Sequence, residues 1–410
     1  MKSDKKPTVI SFGHLPRDHG GKQSSGLSYA IYEIAKKLSK KEKKFNYYLC
    51  ASDVQNDTWD IKENKDGILI IGWNPKSLLS YGLKRPLQSL IIGWKSLKFY
   101  FQYSGKRGIL NTLGIFLFYD AVINYYEPDL LHVHGSSRLL ILDSLPSKKI
   151  PKVTTLHGVI GNDPNLPEWT EKREREALKR GDYFTFVSNK TAQTLEASYD
   201  TFPDNYKIIR NGIDLQKFKL KDRNKCRKEL NLPRDRTIIL TVGGYSKLKG
   251  QDRILEAYSK LKQQTKSDLC LVFVGKGVKE IDVEEFSETG CIRLFDHVNQ
   301  EELIKFYNSA DSHLSASSSE GFGMVMTESL ACGTPVIVPK SCDIVDEDFI
   351  VKGENALIYE NSEPQNIRRV ILEAEELNFD RKIVRESVKG LKWGSIADEY
   401  ISVFNRVAIK

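Results

Sequence analysis

The sequence lacks the marks of several protein classes, and each gap narrows the reading. Its six cysteines, Cys50, Cys226, Cys270, Cys291, Cys332 and Cys342, include no C-x-x-C pair. Buried reduced thiols are therefore expected, and neither a structural zinc nor a disulfide framework is. The opening Met1–Pro7 passes straight into Thr8–Phe12 without the apolar stretch or cleavage site of a signal peptide, which predicts a cytoplasmic protein. No repeat period and no long low-complexity tract occurs, so fibrous and disordered classes are excluded. No G-x-G-x-x-G opens a strand–helix unit and no G-x-x-x-x-G-K-[ST] is present, which argues against a nicotinamide enzyme and a P-loop ATPase. No helix-turn-helix, zinc-finger or RNP-like pattern accompanies the positive charge, so nucleic acid is not an expected partner.

What is present is a chain of 410 residues, 40% hydrophobic and 28% charged, with a net charge of +8. That length suits two domains of roughly 200 residues each. Short β-branched runs alternate with helix-period segments, the pattern of parallel βαβ units. Strands are expected at 8–13, 47–52, 67–71, 130–135, 152–157, 183–188 and 206–211, then at 237–242, 270–275, 292–295, 312–316 and 336–339. The fold class is α/β, with two facing Rossmann-like doubly wound domains, residues 1–211 and 212–390, and ligands in the cleft at the carboxyl ends of the strands. Lys36, Lys37, Lys40, Lys41, Lys43 and Lys44 cluster at the end of the first helix, where cations suit the macrodipole. Of partners that meet the remaining charge, an anionic nucleotide and an anionic membrane surface fit best.

The most specific string is Glu320-Gly-Phe-Gly-Met-Val-Met-Thr-Glu328, followed by Ser-Leu-Ala-Cys-Gly-Thr-Pro335. Gly321 and Gly323 permit close approach of backbone to a ligand, and the helix that follows offers free N–H groups to phosphate. Two carboxylates eight residues apart can hydrogen-bond two polyhydroxyl groups along one ligand. A second string, Thr241-Val-Gly-Gly-Tyr-Ser-Lys-Leu-Lys-Gly250, ends a strand in glycines and carries Lys249 into a helix. A lysine there meets the charge that builds on a departing diphosphate.

With these strings the chain resembles glycosyltransferase family 4, retaining enzymes with two Rossmann-like domains (GT-B). The resemblance implies that Glu320 contacts the transferred sugar and Glu328 the donor ribose, with Phe322, Gly323, Met324 and Val325 lining the diphosphate and sugar site. Gly243 and Lys249 belong to the diphosphate loop, where Gly244 stands in place of the family's arginine. His19-Gly20-Gly21-Lys22 matches the glycine-rich loop that reaches the donor phosphates. His134, at the end of Leu130–Gly135, is implied near sugar and acceptor, and His157 is a second, acceptor-side histidine. The last helix, about residues 391–410, is implied to return to the first domain.

The implied reaction transfers a hexose-type unit from a nucleoside diphosphate sugar to a hydroxyl acceptor, with retention. It needs no cofactor and no metal; Asp346-Glu-Asp348 has a D-x-D form but reads as surface acid after the last core strand. The alternative is a non-catalytic sugar-nucleotide-binding partner of another transferase. From Pro86, residues Leu87, Leu90, Ile91, Trp94, Leu97 and Phe101 share a helical face flanked by Lys84, Arg85, Lys95, Lys98, Lys106 and Arg107. This is either a bilayer-interface helix, suiting a lipid-linked or surface-glycan acceptor at the inner face of the plasma membrane, or the buried face of an ordinary helix. The next run, Ile109 to Tyr126, is interrupted by Asn111, Asp120 and Asn124 and should not span a membrane.

Overall fold

The computed structural model describes residues 6–22, 25–41, 45–55, 61–103, 108–147, 149–159, 167–262, 268–284, 291–317, 321–376 and 378–408. The chain divides into two compact units, Met1–Asn211 with Trp393–Lys410, and Gly212–Lys392.

In the first unit the strands are β1 (Thr8–Gly13), β2 (Asn46–Gln55), β3 (Lys62–Glu63), β4 (Leu69–Trp73), β5 (Leu130–His134), β6 (Lys152–Leu156), β7 (Tyr183–Phe186) and β8 (Tyr206–Ile208). They lie in the order β3-β4-β2-β1-β5-β6-β7-β8. All neighbours are parallel except β3, a two-residue antiparallel edge that the sequence pattern did not suggest. The helices are α1 (Gly26–Ser39), α2 (Pro75–Lys84), α3 (Pro86–Tyr103), α4 (Ile109–Tyr126), α5 (Ser136–Ser144), α6 (Glu168–Leu178) and α7 (Asn189–Ser198).

Local chemistry fixes several helix starts. Ser25 and Ser28 form a reciprocal capping box on α1, and Asn74 accepts from Ser77 N–H at the start of α2. The polar interruption of α4 points inward. Asp120 is fully buried and accepts from Tyr81 Oη and Gln88 Nε2, each at 2.6 Å, so one carboxylate fastens α2 and α3 to α4. Among the described residues no helix is long and apolar enough to cross a membrane.

The second unit holds β9 (Thr237–Val242), β10 (Leu269–Val274), β11 (Cys291–Phe295), β12 (Ser312–Leu314), β13 (Val336–Pro339) and β14 (Ala356–Tyr359), in the order β11-β10-β9-β12-β13-β14. Its helices are α8 (Arg223–Glu229), α9 (Gln251–Lys262), α10 (Gln300–Ser309), α11 (Met324–Ala331), α12 (Pro364–Glu376) and α13 (Arg381–Glu386). All pairings in this sheet are parallel. Because β14 pairs along the whole of β13, Asp346 and Asp348 precede the last core strand rather than follow it. The final helix, α14 (Trp393–Ala408), belongs to the first unit, where Phe404 packs on Phe45 and Tyr47.

The expectation of reduced cysteines holds for buried Cys50, Cys226, Cys332 and Cys342 but not for Cys270 and Cys291. Those two are direct partners in the β10–β11 register and are joined as a disulfide. Strand register, not sequence spacing, brings them together.

Replacing Asp120 by alanine should destabilise the protein by about 1–3 kcal/mol, because Tyr81 and Gln88 then lose their buried acceptor. Denaturant unfolding of Asp120→Ala against the parent measures this; an unchanged midpoint would show that the carboxylate does not hold α2 and α3.

Candidate active site

In an open parallel sheet, ligands bind beyond the carboxyl ends of the strands where the order of connections reverses. In the second unit that point lies between β9 and β12. The loop Gly243–Gly250 leaves β9 there, and the segment reaching Gly323 leaves β12. Val242 ends β9, and Gly243 (φ 152°) meets Gly275 (φ 148°) just past β10. A Cβ on Gly275 would stand 2.3 Å from the Gly243 carbonyl oxygen, so the two loops leave the sheet backbone against backbone.

Gln251, buried at the start of α9, fastens the first loop. Its Nε2 donates to the carbonyls of Gly243 (3.3 Å) and Gly244 (3.1 Å), and its Oε1 accepts from Ser246 N–H. The stem of Lys249 lies over Gly243, with its Cδ 3.8 Å from where a Cβ would stand. Arg253 donates to the carbonyls of Ala316 (2.7 Å) and Lys247 (3.3 Å), tying the β9 loop to the β12 loop. At Gly244 a Cβ would meet only the Lys276 carbonyl, at 3.5 Å, so the missing arginine is not a steric demand of this loop.

Gly323 takes a left-handed conformation (φ 64°) immediately before α11, and its carbonyl accepts from Met326 and Thr327. Met324 and Val325 open the helix, where the first N–H groups have no partner within it. Phe322 is buried with its ring against Phe349, which leaves its backbone as the part able to meet a ligand. Glu320 lies outside the described residues. Glu328 is half-buried and accepts from Tyr307 Oη at 2.8 Å. Burial raises its carboxyl to about 7, against the opposing effects of the Tyr307 hydrogen bond and the Lys217 charge. Gln251, Arg253 and Tyr307 were not singled out in the sequence: Arg253 and Tyr307 work through contacts with Ala316 and Glu328, far along the chain, and Gln251 through backbone carbonyls of the loop just before it.

In the first unit the reversal lies between β1 and β5, and both glycine-histidine segments emerge there. Gly21 is packed inward, since a Cβ would fall 1.9 Å from the Leu15 carbonyl oxygen, whereas Gly20 (φ 92°) faces open space. His19 stacks on Tyr32 with centroids 3.9 Å apart, and the Tyr32 hydroxyl bonds Asp66, which also pairs with Lys36 at 2.8 Å.

His134 is buried at the end of β5, and its Nδ1 lies 2.9 Å from His157 Nε2, just past β6. The remaining ring nitrogens, His134 Nε2 and His157 Nδ1, have no hydrogen-bond partner among the described residues. Burial lowers both imidazoles, that of His157 to about 3, so each ring is neutral. A neutral pair joined in this way shares one N–H. When one outer nitrogen is a donor the other is an acceptor, and the two exchange roles together. His132 continues the polar layer: Nδ1 meets Tyr47 Oη and Nε2 meets Thr155 Oγ1, each at 2.9 Å, and Thr155 reaches Thr185 and Tyr400 of α14. Among the described residues, no group of three His, Cys, Asp or Glu side chains is placed to hold a metal.

Because the folded Glu328 carboxyl titrates above its unfolded value, it favours the folded state below about pH 4.5, and that contribution is lost as pH rises through about 7. Glu328→Gln should therefore gain roughly 2–3 kcal/mol on the parent between pH 4.5 and pH 8. Unfolding curves of both proteins across that range measure the difference; a constant gap would mean that the carboxyl ionises freely in the fold.

Two family models match the chain: Glycosyltransferase Family 4 over residues 77–217 and Glycosyl transferases group 1 over residues 222–389. A D-inositol 3-phosphate glycosyltransferase of Catenulispora acidiphila is 25% identical over 302 residues, which cover 67% of this chain and 72% of the relative. An N-acetyl-alpha-D-glucosaminyl L-malate synthase of Bacillus anthracis is 27% identical over 51% of this chain and 56% of its own length. Among solved structures, sucrose-phosphate synthase from Thermosynechococcus elongatus aligns with a TM-score of 0.72 at 17% identity, over 98% of this chain and 99% of its own. Anabaena HepE in complex with UDP-glucose aligns at 0.66 and 15% identity, over 98% and 100%. At these identities the structures establish the fold, GT-B, and the two models between them cover most of the chain. The chain belongs to the group 1, family 4 glycosyltransferases.

Proposed function

We propose that the protein moves a hexose-type unit from a UDP-sugar to a hydroxyl of a lipid-linked or surface-glycan precursor, with retention at the anomeric carbon and without a metal. The observation that carries this reading is Lys249 lying over Gly243 at the strand-order reversal, in the unit that also holds the α11 N-terminus and Glu328. The UDP assignment is drawn from the HepE complex with UDP-glucose, a protein of the same fold.

In this reading the Lys249 ammonium and the first N–H groups of α11 offset the charge that grows on the leaving diphosphate. Glu328 accepts from the donor ribose, and Glu320 from the transferred sugar. His134 Nε2 meets a hydroxyl of sugar or acceptor, and the tautomer shared with His157 lets it donate or accept as required. The acceptor oxygen attacks on the face the diphosphate leaves, through an oxocarbenium-like ion pair, and the departing phosphate takes its proton. Gly20, with open space where a Cβ would stand, is assigned a backbone contact with the donor phosphates in the same reading.

The membrane side of the reading rests on α3. Its Leu87, Leu90, Trp94 and Phe101 are 78%, 72%, 70% and 77% exposed, while Ile92, Ser96 and Phe99 turn to the core. Leu79 and Leu83 of α2 and Leu110 of α4 are also exposed, and Lys84, Arg85 and Lys98 stand exposed beside them. Lys106 and Arg107 lie outside the described residues. A basic, aromatic, apolar helical surface suits a bilayer interface at the cytoplasmic face.

Three outcomes follow from this reading. Lys249→Ala should lower kcat roughly a hundredfold or more with the fold intact by circular dichroism, turnover should survive EDTA, and NMR of the first-formed product should show the donor's anomeric configuration. Near-parental turnover of Lys249→Ala, metal-reversible loss in EDTA or an inverted product would each refute the corresponding part. UDP binding without turnover of any donor would favour the non-catalytic alternative. For the membrane, native protein should sediment with anionic vesicles at low salt, and Trp94→Ser with Phe101→Ser should remain in the supernatant. Native protein staying in solution with lipid in excess would leave a soluble acceptor as the reading.

A further inference from the structure

A recess of about 730 Å³ opens in the first unit at the amino-terminal ends of β6 and β7, the opposite end of the sheet from His134 and His157. Five cations line it: Lys149, Lys152, Lys179, Arg180 and Arg406. Lys179 and Arg180 follow α6 and suit the negative end of its dipole, so the helix accounts for those two. It does not account for the other three. Arg406 lies over the Tyr183 ring at 5.6 Å, and Lys149 is exposed at the rim.

Lys152 is the unusual member. Its side chain is only 9% exposed, yet its ammonium reaches carboxylates no closer than 3.5 Å at Asp143 and 3.7 Å at Asp182. Those two acids are divided among other groups: Asp143 also meets Arg180 at 3.4 Å, and Asp182 accepts the Lys152 backbone N–H at 3.0 Å. Among the described residues these two long ion pairs are the ammonium's carboxylate contacts, and an anion entering the recess would offer its three donors acceptors at shorter range. The lining holds two acids, Asp143 and Asp182, against its five cations, and Glu176 outside it pairs with Lys179 and Arg180.

We infer that this recess binds a compact group bearing two or more phosphate charges, held by Lys152 with Lys149 and Arg406. A volume of this order accommodates a ligand of nucleotide size or smaller. The same chemistry is offered by a free oligophosphate and by a phosphomonoester lipid headgroup. Helix α3 packs on α6, the helix followed by Lys179 and Arg180 in the recess wall. This inference does not depend on the transferase reading, because none of its residues belongs to the donor or acceptor assignments.

The test uses the full chain and two exposed charge reversals, Lys149→Glu with Arg406→Glu, together with Lys152→Met as a second variant. Inorganic tripolyphosphate is titrated by calorimetry into each in the presence of saturating UDP, and binding to phosphatidic acid vesicles is compared with binding to phosphatidylglycerol vesicles. The expected result is one tripolyphosphate site in the parent, weakened at least about tenfold in both variants, or a preference for phosphatidic acid that both variants lose. The first outcome identifies a soluble ligand and the second a headgroup. Parent and charge-reversed proteins that bind tripolyphosphate equally and show the same lipid preference would overturn the inference, as would a parent that binds neither probe.

Discussion

The candidate donor site depends on one close approach, the backbone of Gly275 against the carbonyl of Gly243. Two parallel strands, β9 and β10, deliver their ends side by side, and no side chain fits between them. That contact fixes where the β9 loop turns. Gln251 and Arg253 then hold the loop through its own carbonyls and through Ala316, which leaves Lys249 folded back over Gly243. Were the glycines side-chain-bearing residues, the loop would have to lift, and the lysine, the β12 loop and the start of α11 would lose their common reference.

Burial sets the charge state of polar groups within each unit. In the first unit the paired histidines His134 and His157 are held neutral, and in the second burial raises the Glu328 carboxyl to about 7. Neutral imidazoles are suited to hydroxyl groups, which donate and accept, more than to fixed ions. The cationic character of the candidate site comes instead from Lys249 and the end of α11, where a diphosphate would need it.

How much was legible in the sequence follows from the range of each interaction. The strings around Lys249 and Glu328 are local, and both fall at strand ends as their spacing suggests. Arg253 and Tyr307 act on Ala316 and Glu328, tens of residues away, so no string announces them, and Gln251 acts on the adjacent loop through backbone carbonyls that carry no side-chain signature. The Cys270–Cys291 bond depends on which strands become neighbours, and β14 is four residues long after a turn, too short to stand out by periodicity. On α3 the period identified an apolar face, but a second face carrying Ile92 and Phe99 is apolar too. Only packing against α4 decides which of them faces solvent.

Hydrogen–deuterium exchange of the full chain with and without saturating UDP tests the central claim most directly, because it reads the whole backbone without assuming a substrate. The account predicts slowed exchange at 243–251, 275–277 and 322–328, the segments gathered by the Gly243–Gly275 contact and the start of α11. Protection absent from those segments and found instead elsewhere in the chain would contradict it.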